Sequence, residues 1–280
     1  MPAARLRRLL GIILFALLLS PIAVMGGSDL HTALFTPRAE LPTDVAREIQ
    51  VGDIVFTREP YMLLRQVARA GGSWMNHVGI VIDTSGPEPI VAESKVPRAR
   101  LTPLHQFVRR SAAGYVAVLR LKQPLDAQQQ SALAGAARVR VGRWYDLGFD
   151  LYSQRQFCSK LVYESLLEAT GNPVAEPSTF AQLLRDNPGV PLGFWKLWYF
   201  GNIPWQRVTL TPAALYRSPS LRTIYDSTRE GVPLPDDATA GVLNQTTPQG
   251  LRGSPTHDAH SGTAWANMTK PSSLFTGRLV

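Results

Sequence analysis

Apolar and polar positions along this chain fall into short strand-like runs and longer stretches of helical period. Val51-Gly52-Asp53-Ile54-Val55-Phe56 predicts a strand entered through a tight turn at Gly52-Asp53. Pro60 to Ala70 places apolar residues at Met62, Leu63, Val67 and Ala70, with proline in the first turn and Gly71-Gly72 behind, which predicts a helix. His77–Asp83 and Ile90–Ser94, joined by Ser85-Gly86-Pro87, predict a hairpin, and Tyr115–Leu121 a further strand of the same sheet. Thr102-Pro103 opens a short helix to about Arg109. Asp126, followed three residues later by Gln129, forms a capping box for a helix reaching about Val141. Cys158 to about Ala169 carries its apolar stripe on Leu161, Val162, Leu166 and Ala169 and stops at Gly171-Asn172-Pro173. Ser178 is expected to cap a helix to Arg185, and Thr211-Pro212 to begin a last one ending near Tyr216. Strands and helices of this kind imply an α+β fold, with an antiparallel sheet or small barrel packed against helices.

Two stretches break the rhythm. Phe194, Trp195, Leu197, Trp198, Tyr199, Phe200 and Trp205 crowd the segment between Pro188 and Trp205. Such a cluster suits a flap packed on the core, and equally a substrate- or membrane-facing surface, since Trp and Tyr favour apolar–water boundaries. After Ser227 the chain is rich in Gly, Pro, Thr, Ser and Asn without periodicity, so residues 228–280 are expected to be mostly disordered.

The N-terminus carries Arg5, Arg7 and Arg8, then the apolar run Leu9 to Met25 broken at Ser20-Pro21, then Gly26, Gly27 and Ser28. That order is the signature of an export signal. The run is about 17 residues, near the lower limit for spanning a bilayer, so residues 1–27 are expected to act as a cleaved signal or an N-terminal anchor. Residues 28–50 form a lead-in and 51–227 the folded domain. The expected location is outside the cytosol, in the cell envelope or periplasm.

Composition narrows the partners. A hydrophobic content of 45% and a mean hydropathy of −0.05 fit a globular chain. The net charge is +8, and the three N-terminal arginines leave +5 on residues 28–280. With no stacking-aromatic ribonucleoprotein pattern and no zinc-finger spacing, no nucleic-acid partner is expected. An anionic membrane surface or cell wall is a better neighbour.

The chemistry concentrates on Cys158, the one cysteine of the chain. An exported lone thiol forms no internal disulfide; it is either a small buried hydrophobe or a working group. Cys158 stands at the start of a helix, where free N–H groups and the dipole favour a thiolate. His77 opens a strand well upstream, and an imidazole within reach would complete a nucleophile and base pair. The other candidates are weaker. His105 sits beside arginines on a helix, His31 lies in the lead-in, and His257 and His260 lie in the tail. Asp53 and Asp146 read as turn residues, and Ser159 as a capping or packing group. No ligand cluster implies a metal, and no cofactor is expected.

With cysteine after histidine, the order is the reverse of papain's. The chain resembles the circularly permuted NlpC/p60-type papain-like cysteine hydrolases, the YiiX-like family. The resemblance rests on Gly52–Phe56, Asn76-His77-Val78-Gly79-Ile80-Val81, Val91-Ala92-Glu93-Ser94, Trp144-Tyr145-Asp146 and Phe157-Cys158-Ser159-Lys160-Leu161-Val162, and extends over about 50–226. It implies a permuted papain-like fold with Cys158 as nucleophile, His77 as base and Glu93 as the residue orienting the imidazole. It also implies that Tyr145 and the Cys158 backbone N–H shape the oxyanion or substrate pocket.

Three functions stay open at this point. One is an exported amidase or peptidase acting on an amide of cell-wall peptide or lipid. Another is a lipid acyltransferase or lipid hydrolase like the lecithin:retinol acyltransferase relatives. The last is a non-enzymatic envelope binding module. The substrate is accordingly an amide or ester, with membrane proximity favoured by the aromatic stretch and the apolar N-terminus.

Overall fold

The computed structural model describes residues 39–235. The expected leader over 1–27, the tail beyond 235, and His31, His257 and His260 lie outside the described residues. In chain order the elements are α1 (Thr43–Arg47), β1 (Ile54–Thr57), α2 (Met62–Ala70), β2 (His77–Asp83), β3 (Ile90–Ser94), β4 (Ala99–Pro103) and α3 (Leu104–Arg109). There follow β5 (Val116–Leu121), α4 (Ala127–Arg138), α5 (Cys158–Thr170), β6 (Ser178–Thr179), α6 (Phe180–Asp186), α7 (Leu192–Trp198), β7 (Val208–Thr209), α8 (Pro212–Tyr216) and β8 (Leu221–Asp226).

Six strands make one antiparallel sheet in the order β4-β3-β2-β1-β5-β8, and β6 and β7 pair separately. The central strands are apolar on both faces because both faces are covered. Ile54, Phe56, Val78, Ile80, Ala117 and Leu119 enter the larger core. Val55, Val81, Val91, Val116 and Val118 enter a second core beneath Leu104, Phe107 and Val108 of α3. The larger core is closed by Leu133 and Ala137 of α4 and by Leu161, Val162 and Leu166 of α5. The fold is therefore the expected α+β arrangement, an open antiparallel sheet against helices rather than a barrel.

Local signals mostly held. The Asp126 carboxylate accepts from the Gln129 N–H at 2.8 Å, and Gln129 Oε1 accepts from the Asp126 N–H at 3.1 Å, closing the capping box. Gly171 ends α5 with φ 71°, a left-handed cap that glycine adopts freely. Other signals need correction. α4 stops at Arg138 rather than near Val141, and Val139 and Val141 are exposed. The cap of α6 is Thr179, not Ser178, and Thr179 and Gln182 form its capping box. The segment 188–205 contains a short helix, α7, whose Trp195 is buried between Phe149 and Phe180. Strands β4 and β8 carried no sequence expectation.

Gly79 lies opposite Glu93 in the β2–β3 register. A Cβ there would come within 2.5 Å of Val91 Cγ1 and 2.9 Å of Phe107 Cε2. Phe107 also stacks on His77, with ring centroids 5.4 Å apart. Gly79→Ala is expected to destabilise the protein by about 1–3 kcal/mol through overpacking, read as a lower urea midpoint with unchanged slope. An unaltered midpoint would mean that the strands can part without cost.

Candidate active site

Adjacent strands bring the histidine to its carboxylate. His77 opens β2 and Glu93 lies in β3, both almost wholly buried, and His77 Nε2 bonds Glu93 Oε2 at 2.7 Å. That engagement leaves Nδ1 for the third partner. The Cys158 thiol, at the first residue of α5, lies close enough to the His77 imidazole to raise its pKa. Cys158, His77 and Glu93 thus stand in one row, its His77–Glu93 end closed by a hydrogen bond.

The loop before α5 is fixed by backbone pairing. The Gln156 carbonyl accepts from the Asp146 N–H at 2.8 Å and from the Ser94 hydroxyl at 3.0 Å, which ties the nucleophile loop to β3. The Ser159 hydroxyl donates to the Leu210 carbonyl at 2.6 Å, a packing role as expected. No side chain caps α5 at Phe157, so the helix's first N–H groups, that of Cys158 among them, have no side-chain acceptor there.

Glu93 is held from three sides. Thr102 Oγ1 donates to Oε1 at 2.6 Å, Arg110 Nη2 donates to Oε2 at 2.6 Å, and Arg100 stands 3.7 Å from Oε1. Burial works against ionising this carboxyl, but the hydrogen bond and charge of His77, with the charge of Arg110, hold its pKa down to about 2. Burial likewise works against an imidazolium at His77, yet Cys158 beside it and the hydrogen bond it donates to Glu93 raise its pKa to about 10.

Tyr145 is buried beside the thiol. Its hydroxyl has no nitrogen or oxygen partner and lies against Cys158. Burial first, and then its neighbour Cys158, push the phenol well above its ordinary pKa of 10 and keep it a donor. Its backbone N–H donates to the Pro97 carbonyl at 2.9 Å, which fixes the ring beside the site.

Four further groups carry the site and were not singled out from the sequence. Glu59, just past β1, is 1% exposed and pairs with Lys95 Nζ at 3.0 Å and Arg110 Nε at 2.9 Å. Its backbone is clamped by Asn76, whose Oδ1 accepts from the Glu59 N–H at 2.7 Å and whose Nδ2 donates to the Glu59 carbonyl at 3.0 Å. Arg110 therefore bridges two buried carboxylates, Glu59 and Glu93. The position of Asn76 next to His77 was the one local signal available. Arg110 follows Arg109 at a helix end and is indistinguishable in sequence from a solvated arginine.

The remaining candidates lie elsewhere. His105 pairs with Glu88 on the surface. Asp53 is buried against Arg120 at 2.6 Å and caps its own turn at the Gln50 N–H, and Asp146 accepts from the Gly148 and Asp150 N–H groups. Both are structural, as expected of turn residues.

Two pockets meet at this row. One, of about 540 Å³ including space open to solvent, contains Cys158 and is lined by apolar side chains such as Leu64, Val67, Phe149, Phe180 and Trp195. The other, of about 720 Å³ on the same measure, contains His77, Glu59, Lys95 and Tyr61. Tyr145 and Leu64 line both.

Known proteins share this fold. The crystal structure of metalloprotein yiiX from Escherichia coli O157:H7 superposes with a TM-score of 0.59 at 29% identity, covering 63% of this chain and 97% of that one. Uncharacterized protein YiiX of Escherichia coli strain K12 is 29% identical over 175 residues, 62% of this chain and 85% of that protein. Among the described residues no three or more His, Cys, Asp or Glu side chains group as metal ligands, so this chain's donors do not fit a metal of the kind that the first description implies. The model of the permuted papain-like amidase family, YaeF/YiiX, C92, matches residues 48–225, which include His77, Glu93, Tyr145 and Cys158; the chain belongs to that family.

Proposed function

We propose that the protein hydrolyses an amide through a thioester on Cys158, with His77 as acid and base and Glu93 orienting the ring. The observation that carries this reading is the His77 Nε2–Glu93 bond of 2.7 Å, which leaves Nδ1 as the ring nitrogen available to the neighbouring Cys158 thiol. The thiolate attacks the amide carbon, and the carbonyl oxygen, now negative, accepts from the Cys158 N–H and the Tyr145 hydroxyl. His77 gives its Nδ1 proton to the leaving nitrogen as the C–N bond breaks. It then takes a proton from water, whose oxygen displaces the thiolate from the acyl carbon.

A second reading, lipid acyl transfer or hydrolysis, is supported by the apolar lining on the Cys158 side. The acyl part stays on sulfur during the reaction, so that pocket is where it rests. Work beside a membrane fits the exposed Leu197, Phe200 and Trp205 that follow Trp195 along the chain. Among the described residues no helix is long and apolar enough to cross a membrane, and the expected leader over 1–27 lies outside them.

The test is intact mass after brief exposure to acetyl and octanoyl 4-nitrophenyl esters. An acyl adduct on Cys158, cleaved by hydroxylamine and absent from Cys158→Ala, is expected. A faster octanoyl adduct would favour the lipid reading, and equal rates the short amide. No adduct from either ester would overturn both.

A further inference from the structure

The two pockets divide the substrate between them, and their charge is unequal. During amide cleavage the acyl group remains on Cys158, whereas the leaving nitrogen must sit where His77 can protonate it. Cys158 lines one pocket and not the other, and His77 the reverse. The pocket holding Glu59, Tyr61 and Lys95 is therefore the place of the leaving group, given the hydrolase reading above.

Around that pocket the fixed charges do not cancel. Glu59 and Glu93 supply two carboxylates, and Lys95, Arg110 and Arg100 supply three cations. A thiolate–imidazolium pair adds nothing net. Arg110 is committed to both carboxylates, and Arg100 is half exposed and 3.7 Å from Glu93. Lys95 is different. It is mostly buried, lies 5.4 Å from the Tyr61 ring centroid, and spends its hydrogen bonds on Glu59 Oε1 at 3.3 Å and Oε2 at 3.0 Å. No other acceptor among the described residues takes its remaining N–H. Arg110 is shared between Glu59 and Glu93, so Lys95 is the one ammonium that lines the pocket, with an N–H left for a substrate anion.

We infer that Lys95 is a specificity-determining residue that binds an anionic group on the leaving amine, a carboxylate or a phosphate one or two bonds beyond the scissile nitrogen. The leaving group is then an amino acid or a phosphorylated amino alcohol rather than ammonia or a neutral amine. Glu59 positions the ammonium, and Tyr61 forms the wall behind it.

The experiment is protection of Cys158 from iodoacetamide by candidate leaving amines, followed by intact mass: glycine for a carboxylate, O-phosphoethanolamine for a phosphate, ethanolamine as the neutral match. Each protein is normalised to its own unprotected rate. At least one anionic amine is expected to half-protect at a concentration about tenfold below ethanolamine, the worth of one charge-assisted contact. Which of the two protects identifies the anion. Lys95→Met should remove the difference, and Lys95→Arg should restore it. Equal protection by all three amines, none by any, or a preference that survives Lys95→Met would overturn the inference. A Cys158 that iodoacetamide does not alkylate in the absence of any amine would instead overturn the hydrolase reading, and the inference with it.

Discussion

Cys158→Ala is expected to lower kcat on any amide that the protein cleaves by a factor on the order of 10⁴ to 10⁶, the range found when a covalent nucleophile is deleted from a unit that acts together. Cys158→Ser should lose nearly as much. The hydroxyl stays protonated where a thiol ionises, and the row from Glu93 through His77 is built around a negative partner. Neither change should unfold the protein. Cys158 is buried beside Phe157 and Leu161, and alanine there removes one sulfur from a large core, at a cost of about 1 kcal/mol. Single-turnover rates and urea midpoints on the same samples separate the two effects. His77→Ala added to Cys158→Ala should cost little more, because the pair works as a unit. In Cys158→Ala the His77 ring also loses a neighbour that raises its pKa, so its titration should move down from about 10 in a proton NMR series. A serine variant within tenfold of the parent would mean that the chemistry bypasses this sulfur.

The parts legible in the sequence are those whose signal is local. The β2–β3 hairpin announced itself through unbroken apolar runs, which arise because both faces of the sheet are covered. Cys158 and His77 were visible because a lone cysteine at a helix start and a histidine at a strand start are each unusual. The edges of the sheet were not visible. In β4 only Ala99 and Thr102 turn inward while Arg100 and Leu101 face out, and β8 is similarly mixed, so neither carries a clean alternation. At α6 two hydroxyls compete for the cap. The residue three beyond Ser178 is Ala181, whereas Thr179 is followed at that spacing by Gln182, and the reciprocal hydrogen bonds decide for threonine. The least legible part was the charged network. Glu59, Lys95 and Arg110 are of the types that dominate solvated surfaces, and their burial depends on a loop, two strands and a helix end arriving together. Composition cannot foresee that, although it decides which pocket carries charge.

Glu93→Gln is expected to lower kcat by about 10² to 10⁴ while leaving a folded protein, because the amide matches the carboxylate in shape but cannot satisfy its partners. Three donors, His77 Nε2, Thr102 Oγ1 and Arg110 Nη2, converge on the two carboxylate oxygens. A glutamine must turn its NH₂ group either towards His77 and Arg110 or towards Thr102. If it faces His77 and Arg110, the imidazole loses its acceptor and is free to turn Nδ1 away from the thiol. If it faces Thr102, His77 keeps an acceptor but loses the charge that stabilises its protonated form. Either way the pKa of His77 falls from about 10, since Glu93 is one of the groups that raise it. The imidazolium is then lost at lower pH, and the alkaline limb of kcat should shift in the acid direction. Stability should change with the opposite dependence. Glu93 titrates at about 2 in the folded protein against 4.5 ordinarily, so its contribution is complete above pH 4.5 and is lost as pH falls towards 2. The parent should therefore lose stability steeply across that window in urea titrations, and Glu93→Gln should lose less. An alkaline limb that stays in place together with an unchanged acid slope would mean that Glu93 is a packing residue and that another group orients His77.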